Sequence, residues 1–257
     1  MNERVFRLPK ENEYLSETLG YDYCVSSDAS FDRVDAIINS CFDDPETIHF
    51  IKKFFGSILE RGNKREKVTF WIGKGGNGKS VLDSLLKYAL GFYYSVVPCG
   101  VFTEYSKEAD KASPALAGLY RKLLGVCSET DETTKFVTAS LCKLTSNDRI
   151  KARSLHQNYI EFDPTFALLI HTNHFPKFSS VGEMLYRRIQ VIDFPFLFKD
   201  ASEYDVNNPN HRIQDNTLKD KIMTPEYRVE MINLMIHYYF IYKEEKLFPP
   251  KAILETT

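Results

Sequence analysis

The stretch from Val68 to Ser80, VTFWIGKGGNGKS, limits what this chain can fold into more than any other. β-Branched and aromatic residues from Val68 to Ile72 run into a glycine-rich turn that closes on Gly78-Lys79-Ser80. Gly73-x4-Gly78-Lys79-Ser80 is the spacing of a phosphate-binding loop. Glycines at 73, 75, 76 and 78 free the backbone to turn with positive φ, so that successive N–H groups, with Lys74 and Asn77 between them, face phosphate oxygens. Lys79 then reaches the β- and γ-phosphates, and the Ser80 hydroxyl is a ligand for Mg²⁺. The motif requires a strand before it and a helix after it. Both are legible, since Val81, Leu82, Leu85, Leu86, Ala89 and Leu90 repeat at helical spacing up to Gly91.

With 257 residues, 43% hydrophobic and 26% charged, the chain has material for one large domain or a domain with appendages. Cys24, Cys41, Cys99, Cys127 and Cys142 are odd in number and scattered, with no C-x2-C pair, and read as reduced core thiols in a reducing compartment. The N-terminus has no apolar signal region, and no run approaches a membrane span. A net charge of −2 argues against a surface-wide basic coat but leaves room for a local basic channel.

Residues 1 to about 30 are polar, with Tyr14, Leu15, Leu19, Tyr21 and Tyr23 suited to docking on something else. A helix with Val34, Ile37, Ile38 and Cys41 on one face breaks at Asp43-Asp44-Pro45. A second follows, capped by Asp44, with Pro45 at its first position and Ile48, Ile51, Phe54, Phe55, Ile58 and Leu59 as its stripe. The basic loop from Glu60 to Lys67 reads as a solvated linker. After the loop helix come a short strand over 93–97, a helix over 115–120 opened by Ser113-Pro114, and a buried strand from Leu123 to Ser128 that delivers Glu129 to its carboxyl end. An acid there is what a phosphate-loop enzyme needs to hold Mg²⁺ or polarise water.

Further on, runs around Lys151-Ala152-Arg153 and Tyr159-Ile160-Glu161 flank a polar turn and predict a β-hairpin, with Lys151 and Arg153 on one face and His156 near the tip. Such a hairpin can set cations and a ring against a nucleic-acid backbone, or be merely a solvated surface. Phe166 to Ile170 is a buried strand leading to His171-Thr172-Asn173; an amide at that end can orient attacking water. Arg187-Arg188 precedes another strand, 189–194. Residues 199–220 are polar and suited to wrapping the core, and Thr224-Pro225 opens a last helix with Val229, Ile232, Ile236, Tyr239 and Phe240 inward. The abrupt end after Pro249-Pro250 suggests an excised piece of a longer protein.

Taken in order, GKGGNGKS, CSETDE, LCKLTSNDRIKAR, FALLIHTNHFPKF and YRRIQVIDFPF resemble the superfamily 3 helicases, in the poxvirus-type and satellite-phage primase-helicase branch. The resemblance covers about residues 15 to 250. It implies an α/β fold: a P-loop AAA+ core over 66–198 with a mostly parallel sheet, preceded by a collar-like helical module (1–65) and followed by a loop and helical lid (199–257). It further implies ATP and Mg²⁺ as cofactors, a homo-hexameric ring with ATP at each subunit boundary, and single-stranded or forked DNA as partner. A primase domain in the parent chain and a viral protein at a cytoplasmic replication site of the host are part of the same expectation, with no membrane partner.

By that resemblance Gly73, Gly78, Lys79 and Ser80 look like Walker A and Glu129 like the Walker B acid. Lys143 and Asp148 fall at positions ahead of the hairpin, and Asn173 resembles sensor 1. Arg187 or Arg188 resembles the arginine finger, with spacing to Phe194 favouring Arg188. The glycines usual before Asp148 are missing, and Walker B offers one acid at the strand end, leaving the roles of Asp131 and Glu132 open. Two other readings share the loop: a packaging or remodelling motor, and a ring that binds ATP and DNA only to assemble. A small-molecule kinase gives no reason for Asn173 and the arginine pair.

Overall fold

A computed structural model describes residues 17–23, 30–62, 65–104, 113–128 and 132–257. Its centre is a five-stranded parallel sheet made of β1 (Val68–Ile72), β2 (Tyr94–Val96), β3 (Leu124–Cys127), β7 (Ala167–Thr172) and β9 (Ile189–Asp193). The spatial order is β9-β1-β7-β3-β2. Parallel strands need both faces covered, so β1, β3 and β9 carry near-continuous apolar runs. Along β1 the side chains alternate: Val68, Phe70 and Ile72 enter one core, and Trp71 enters the other.

The Trp71 side is covered by α1 (Asp32–Ser40), α2 (Pro45–Ser57), α3 (Lys79–Leu90) and α9 (Pro225–Glu245). Asp44 caps α2 as expected, accepting from the N–H groups of Glu46 and Thr47, and Pro45 occupies the first turn. Gly56 lets α2 and α9 cross closely, because a Cβ there would lie 2.4 Å from the Tyr239 nitrogen. Glu230 of α9 accepts from the Arg33 and Val34 N–H groups, satisfying donors at the start of α1. Arg33 Nε also donates to Glu230 at 2.5 Å. The first and last helices therefore share one core with the loop helix.

Helix α9 departs from the expected single stripe. Glu230 to Met235 are buried in succession, while Val229, Ile236 and Phe240 are only half-buried. Ile232 and Tyr239 are buried as expected, and neighbours on several sides, α1, α2 and α3, widen the buried face beyond one stripe. Leu19, Tyr21 and Tyr23 dock here too: the Tyr21 hydroxyl donates to the Ala89 carbonyl, and the Arg228 guanidinium lies 3.9 Å from the Tyr21 ring centroid. Tyr14 and Leu15 fall outside the described residues.

The opposite face is covered by α4 (Gly100–Thr103), α6 (Thr138–Thr145), α7 (Glu183–Tyr186) and the two-stranded pair β4 (Lys135–Phe136) with β8 (Lys177–Phe178). The expected helix over 115–120 is only one turn, α5 (Pro114–Ala117), because the chain must turn at Gly118 to enter β3. The hairpin forms as β5 (Ile150–Ala152) against β6 (Ile160–Phe162), shorter than the sequence pattern.

Two local expectations need correction. The 60–67 linker is only partly solvated: Arg65 is half-buried with its guanidinium over the Phe54 ring at 5.4 Å, and loss of water around that group lowers its pKa to about 10, while Lys67 Nζ donates to the Ile189 carbonyl. Residues 199–220 are not simply loop. They include β11 (His211–Ile213), which pairs with β10 (Leu197–Lys199), and α8 (Leu218–Lys221). At the edge of the sheet, α10 (Lys251–Thr256) packs on β9, and Thr257 Oγ1 accepts from the Val191 N–H.

Candidate nucleotide site

The loop from Gly73 to Gly78 rises from β1 and enters α3, with left-handed backbone at Gly73 (φ 142°), Gly76 (79°) and Gly78 (92°). Gly75 does not take positive φ, contrary to the sequence expectation. A Cβ there would meet nothing within 4 Å, so what Gly75 leaves is open space over the loop. Gly78 is fixed by sterics as well as φ, since a Cβ would lie 2.7 Å from Cys41 Sγ. Phe198 of β10 crosses the loop and donates its N–H to the Gly76 carbonyl.

Lys79 Nζ is buried in the loop it serves. It donates to the Gly73 carbonyl at 2.5 Å, to Asn77 Oδ1 at 3.1 Å and to Asn173 Oδ1 at 3.5 Å. Burial lowers its pKa to about 8, and the Asp193 charge at the end of β9 works in the opposite direction. Burial also raises the Asp193 carboxyl above its ordinary value. Among the described residues the buried Asn77 Nδ2 has no hydrogen-bond partner. Asn173 stands directly after β7, the strand beside β1, so the sheet order itself brings it to Lys79. His171, two residues earlier within β7, stacks on Trp71, and burial followed by the Lys79 charge lowers its pKa to about 4.

These groups open into a cavity of about 530 Å³. It is lined by the loop with Lys79 and Ser80, by Ser128 and Asn173, and by Ile37 of α1, Cys41 just after that helix, Phe198, and residues 214–216, 218 and 219. Ser128 directly follows β3, but Glu129 and Asp131 lie outside the described residues. Lys74 and Ser80 are exposed on the loop and the first turn of α3.

Away from this cavity, Lys151 and Arg153 both lie over the Tyr159 ring, at 4.7 and 5.1 Å, and His156 sits in the exposed turn at φ 60°. Arg188 is mostly buried, pairing with Glu66 at 3.0 Å and approaching Thr145 Oγ1 at 3.4 Å. Arg187 is exposed, and its side chain makes no hydrogen bond or ion pair among the described residues. Lys143 and Asp148 are exposed, the latter accepting from the Ser146 hydroxyl.

Sequence reasoning missed the Ile37, Cys41, Phe198 and 214–219 wall and the placement of Asp193. Only Asp193 carried a signal, as an acid closing an apolar strand run. The wall comes from segments far apart in the chain that meet only through packing.

The parallel sheet with β7 between β1 and β3, and the glycine loop at the carboxyl end of β1, define an α/β fold with a phosphate-loop geometry. No protein-family model matches the chain. It is similar to "Putative helicase L207/L206" of Acanthamoeba polyphaga mimivirus, 27% identical over 98% of this chain and 27% of that protein. It is also similar to "Putative primase C962R" of African swine fever virus, 23% identical over 80% of this chain and 22% of that protein. The chain spans about a quarter of the length of these relatives. Among solved structures, the NrS-1 C-terminal region in its apo A form aligns with a TM-score of 0.58 at 17% identity, over 88% of this chain and 50% of that one, which shows the shared fold. The chain thus resembles the viral helicases and primase-helicases that its ordered motifs imply.

Proposed function

We propose that this chain is the ATPase core of a replicative DNA helicase of a virus, working as a hexameric ring within a longer primase-helicase in the infected cell. The observation that carries it is the meeting at Lys79 of the glycine loop with Asn173 from the adjacent strand, in a chain similar to viral proteins named as helicases. ATP fits the residues present. A buried cation and the orphaned Asn77 donor lie in a left-handed glycine loop that opens into a cavity. Ser80 and Glu129 would hold Mg²⁺, which supplies charge neutralisation between the phosphates.

Lys79 draws the β/γ-phosphates into the loop, and the Asn173 amide orients the attacking water. A neighbouring copy supplies an arginine to the charge that develops on the transferring group. The geometry favours Arg187 for this role, because Arg188 is committed to Glu66 within its own chain. An arginine supplied in trans is worth about 10³ to 10⁵ in rate, so a monomer is a poor ATPase. Lys151, Arg153 and His156 of the hairpin are the DNA contacts. Repeated around a ring they concentrate positive charge that a net charge of −2 per chain conceals.

The test is ATP hydrolysis per subunit against protein concentration, with and without single-stranded DNA, with assembly followed by light scattering. The expected rate rises with assembly and with DNA and vanishes in Lys79→Ala. A rate that stays the same in monomer and assembly, and ignores DNA, would overturn the reading.

A further inference from the structure

Six aromatic side chains are exposed among the described residues: Phe92, Tyr120, Tyr159, Phe175, Tyr186 and Phe248. The first three carry a cation over the ring, and no cation of the described residues lies over the other three. Lys122 Nζ lies 3.5 Å from the Phe92 ring centroid and donates to the Phe92 carbonyl. Arg121, with left-handed backbone at φ 62°, lies 4.7 Å from the Tyr120 centroid. Lys151 and Arg153 share the Tyr159 ring. Phe92, Tyr120 and Tyr159 are each 38 or 39% exposed, so a cation holds each ring while part of it stays open to solvent.

Contacts link the three rings through the fold. Phe92 lies in the turn Gly91–Tyr93 that leads into β2, and Tyr120 to Lys122 lie just before β3, the strand paired with β2. The Leu123 N–H donates to the Tyr93 carbonyl and joins these two segments. Tyr120 packs on Phe162 of β6, with ring centroids 5.3 Å apart, and Tyr159 immediately precedes the other end of that strand. Residues 91–96, 118–123 and 149–163 hold five cations, Arg121, Lys122, Arg149, Lys151 and Arg153, against two acids, Glu161 and Asp163, in a chain of net charge −2. Asp163 pairs with Arg149, Glu161 is the register partner of Lys151, and Glu17, from outside these segments, pairs with Arg121 at 3.6 Å.

An apolar partner would cover the rings but strip water from the cations beside them. An unpaired nucleic-acid strand meets both needs, because its bases offer flat faces to the rings and its phosphates offer charge to the cations. In a duplex the bases are already stacked on one another, so the rings gain nothing there. We infer that Phe92, Tyr120, Arg121 and Lys122 form a second contact for single-stranded nucleic acid, leading the strand from the β5-β6 hairpin toward the sheet edge at β2. This rests on the DNA reading of the hairpin above and adds a stacking surface that belongs to none of the ordered motifs.

The test uses two dye-labelled DNA probes, an oligothymidylate and a blunt duplex with the same number of phosphates. Each is titrated at low salt, by fluorescence anisotropy, with the full chain and with its Phe92→Ala and Tyr120→Ala variants. The measured quantity is the ratio of the duplex to the single-strand dissociation constant, from which loss of folded protein cancels. Wild type is expected to prefer the single strand, and each variant to lose about fivefold or more of that preference, the scale of one base–aromatic stack. An unchanged ratio in both variants would overturn the second contact while leaving the hairpin assignment standing. Failure of wild type to bind the oligothymidylate would instead sink the DNA reading itself, and this contact with it.

Discussion

Trp71 and His171 are register partners on the adjacent strands β1 and β7, and their rings stack 5.0 Å apart and only 3° from parallel. Burial, and after it the Lys79 charge, keeps the imidazole neutral. Trp71 is the single tryptophan of the chain, so its fluorescence reports on the ring of His171, which lines the cavity.

His171 titrates near 4 in the fold against about 6.5 unfolded, so the unfolded chain binds more protons between those values and stability falls as pH drops through them. From pH 7 to pH 5 this group alone should remove about 2 kcal/mol. His171→Phe keeps an aromatic partner for Trp71 and should lose that part of the pH dependence, as read by urea unfolding at the two pH values.

Asp83 works in the opposite sense. Its burial against β2 raises its pKa to about 6, although the Tyr94 hydroxyl donates to it at 2.9 Å. Here the native state holds the extra proton between about pH 4 and 6, so stability falls as pH rises through that window. Asp83→Asn should be about 1–3 kcal/mol more stable than wild type at pH 7, a gain that fades toward pH 4.

Lys79 is partly deprotonated above pH 8, and bound phosphates would restore its charge. Nucleotide binding at pH 8.5 should therefore take up a large fraction of a proton. Calorimetry in buffers of different ionisation enthalpy measures this directly. The uptake should be near zero at pH 7 once the nucleotide's own phosphate titration is subtracted.

Gly78→Ala adds a Cβ at positive φ and against Cys41 Sγ, and should cost about 2–4 kcal/mol. Removing the sulfur relieves the collision but not the backbone strain. In a double-mutant cycle with Cys41→Ala, unfolding free energies should show partial recovery, about 1 kcal/mol or more.

Arg187→Ala should leave thermal stability unchanged while abolishing the concentration-dependent part of ATP hydrolysis. Arg188→Ala should lower the melting temperature as well, because it strands Glu66 and empties a mostly buried position. Equal melting temperatures for the two variants would contradict the structural role given to Arg188.

Much of the sheet was readable from the chain. The loop, its strand and helix, the strands leading to Ser128 and Asn173, the Asp44 cap and the hairpin all follow from local pattern, because each needs only a period, a turn residue or a cap. The stripe assigned to α9 was too narrow for a physical reason: Ile232 and Tyr239 are buried as expected, but neighbours on several sides bury Glu230 to Met235 in succession as well. Residues 199–220 read as polar loop because strands as short as β10 and β11 carry too few residues to show alternation.

Sequence alone determined that the chain carries a phosphate loop between a strand and a helix, since backbone freedom at Gly73, Gly76 and Gly78 and the cation at Lys79 are properties of residues close in the chain. The tertiary structure decided what surrounds that loop. It brought Asn173 and Asp193 to Lys79 through strand order, tied Arg188 to Glu66, and packed Cys41 and Phe198 against Gly78. Such neighbours are set by long-range packing, and no local spacing encodes them.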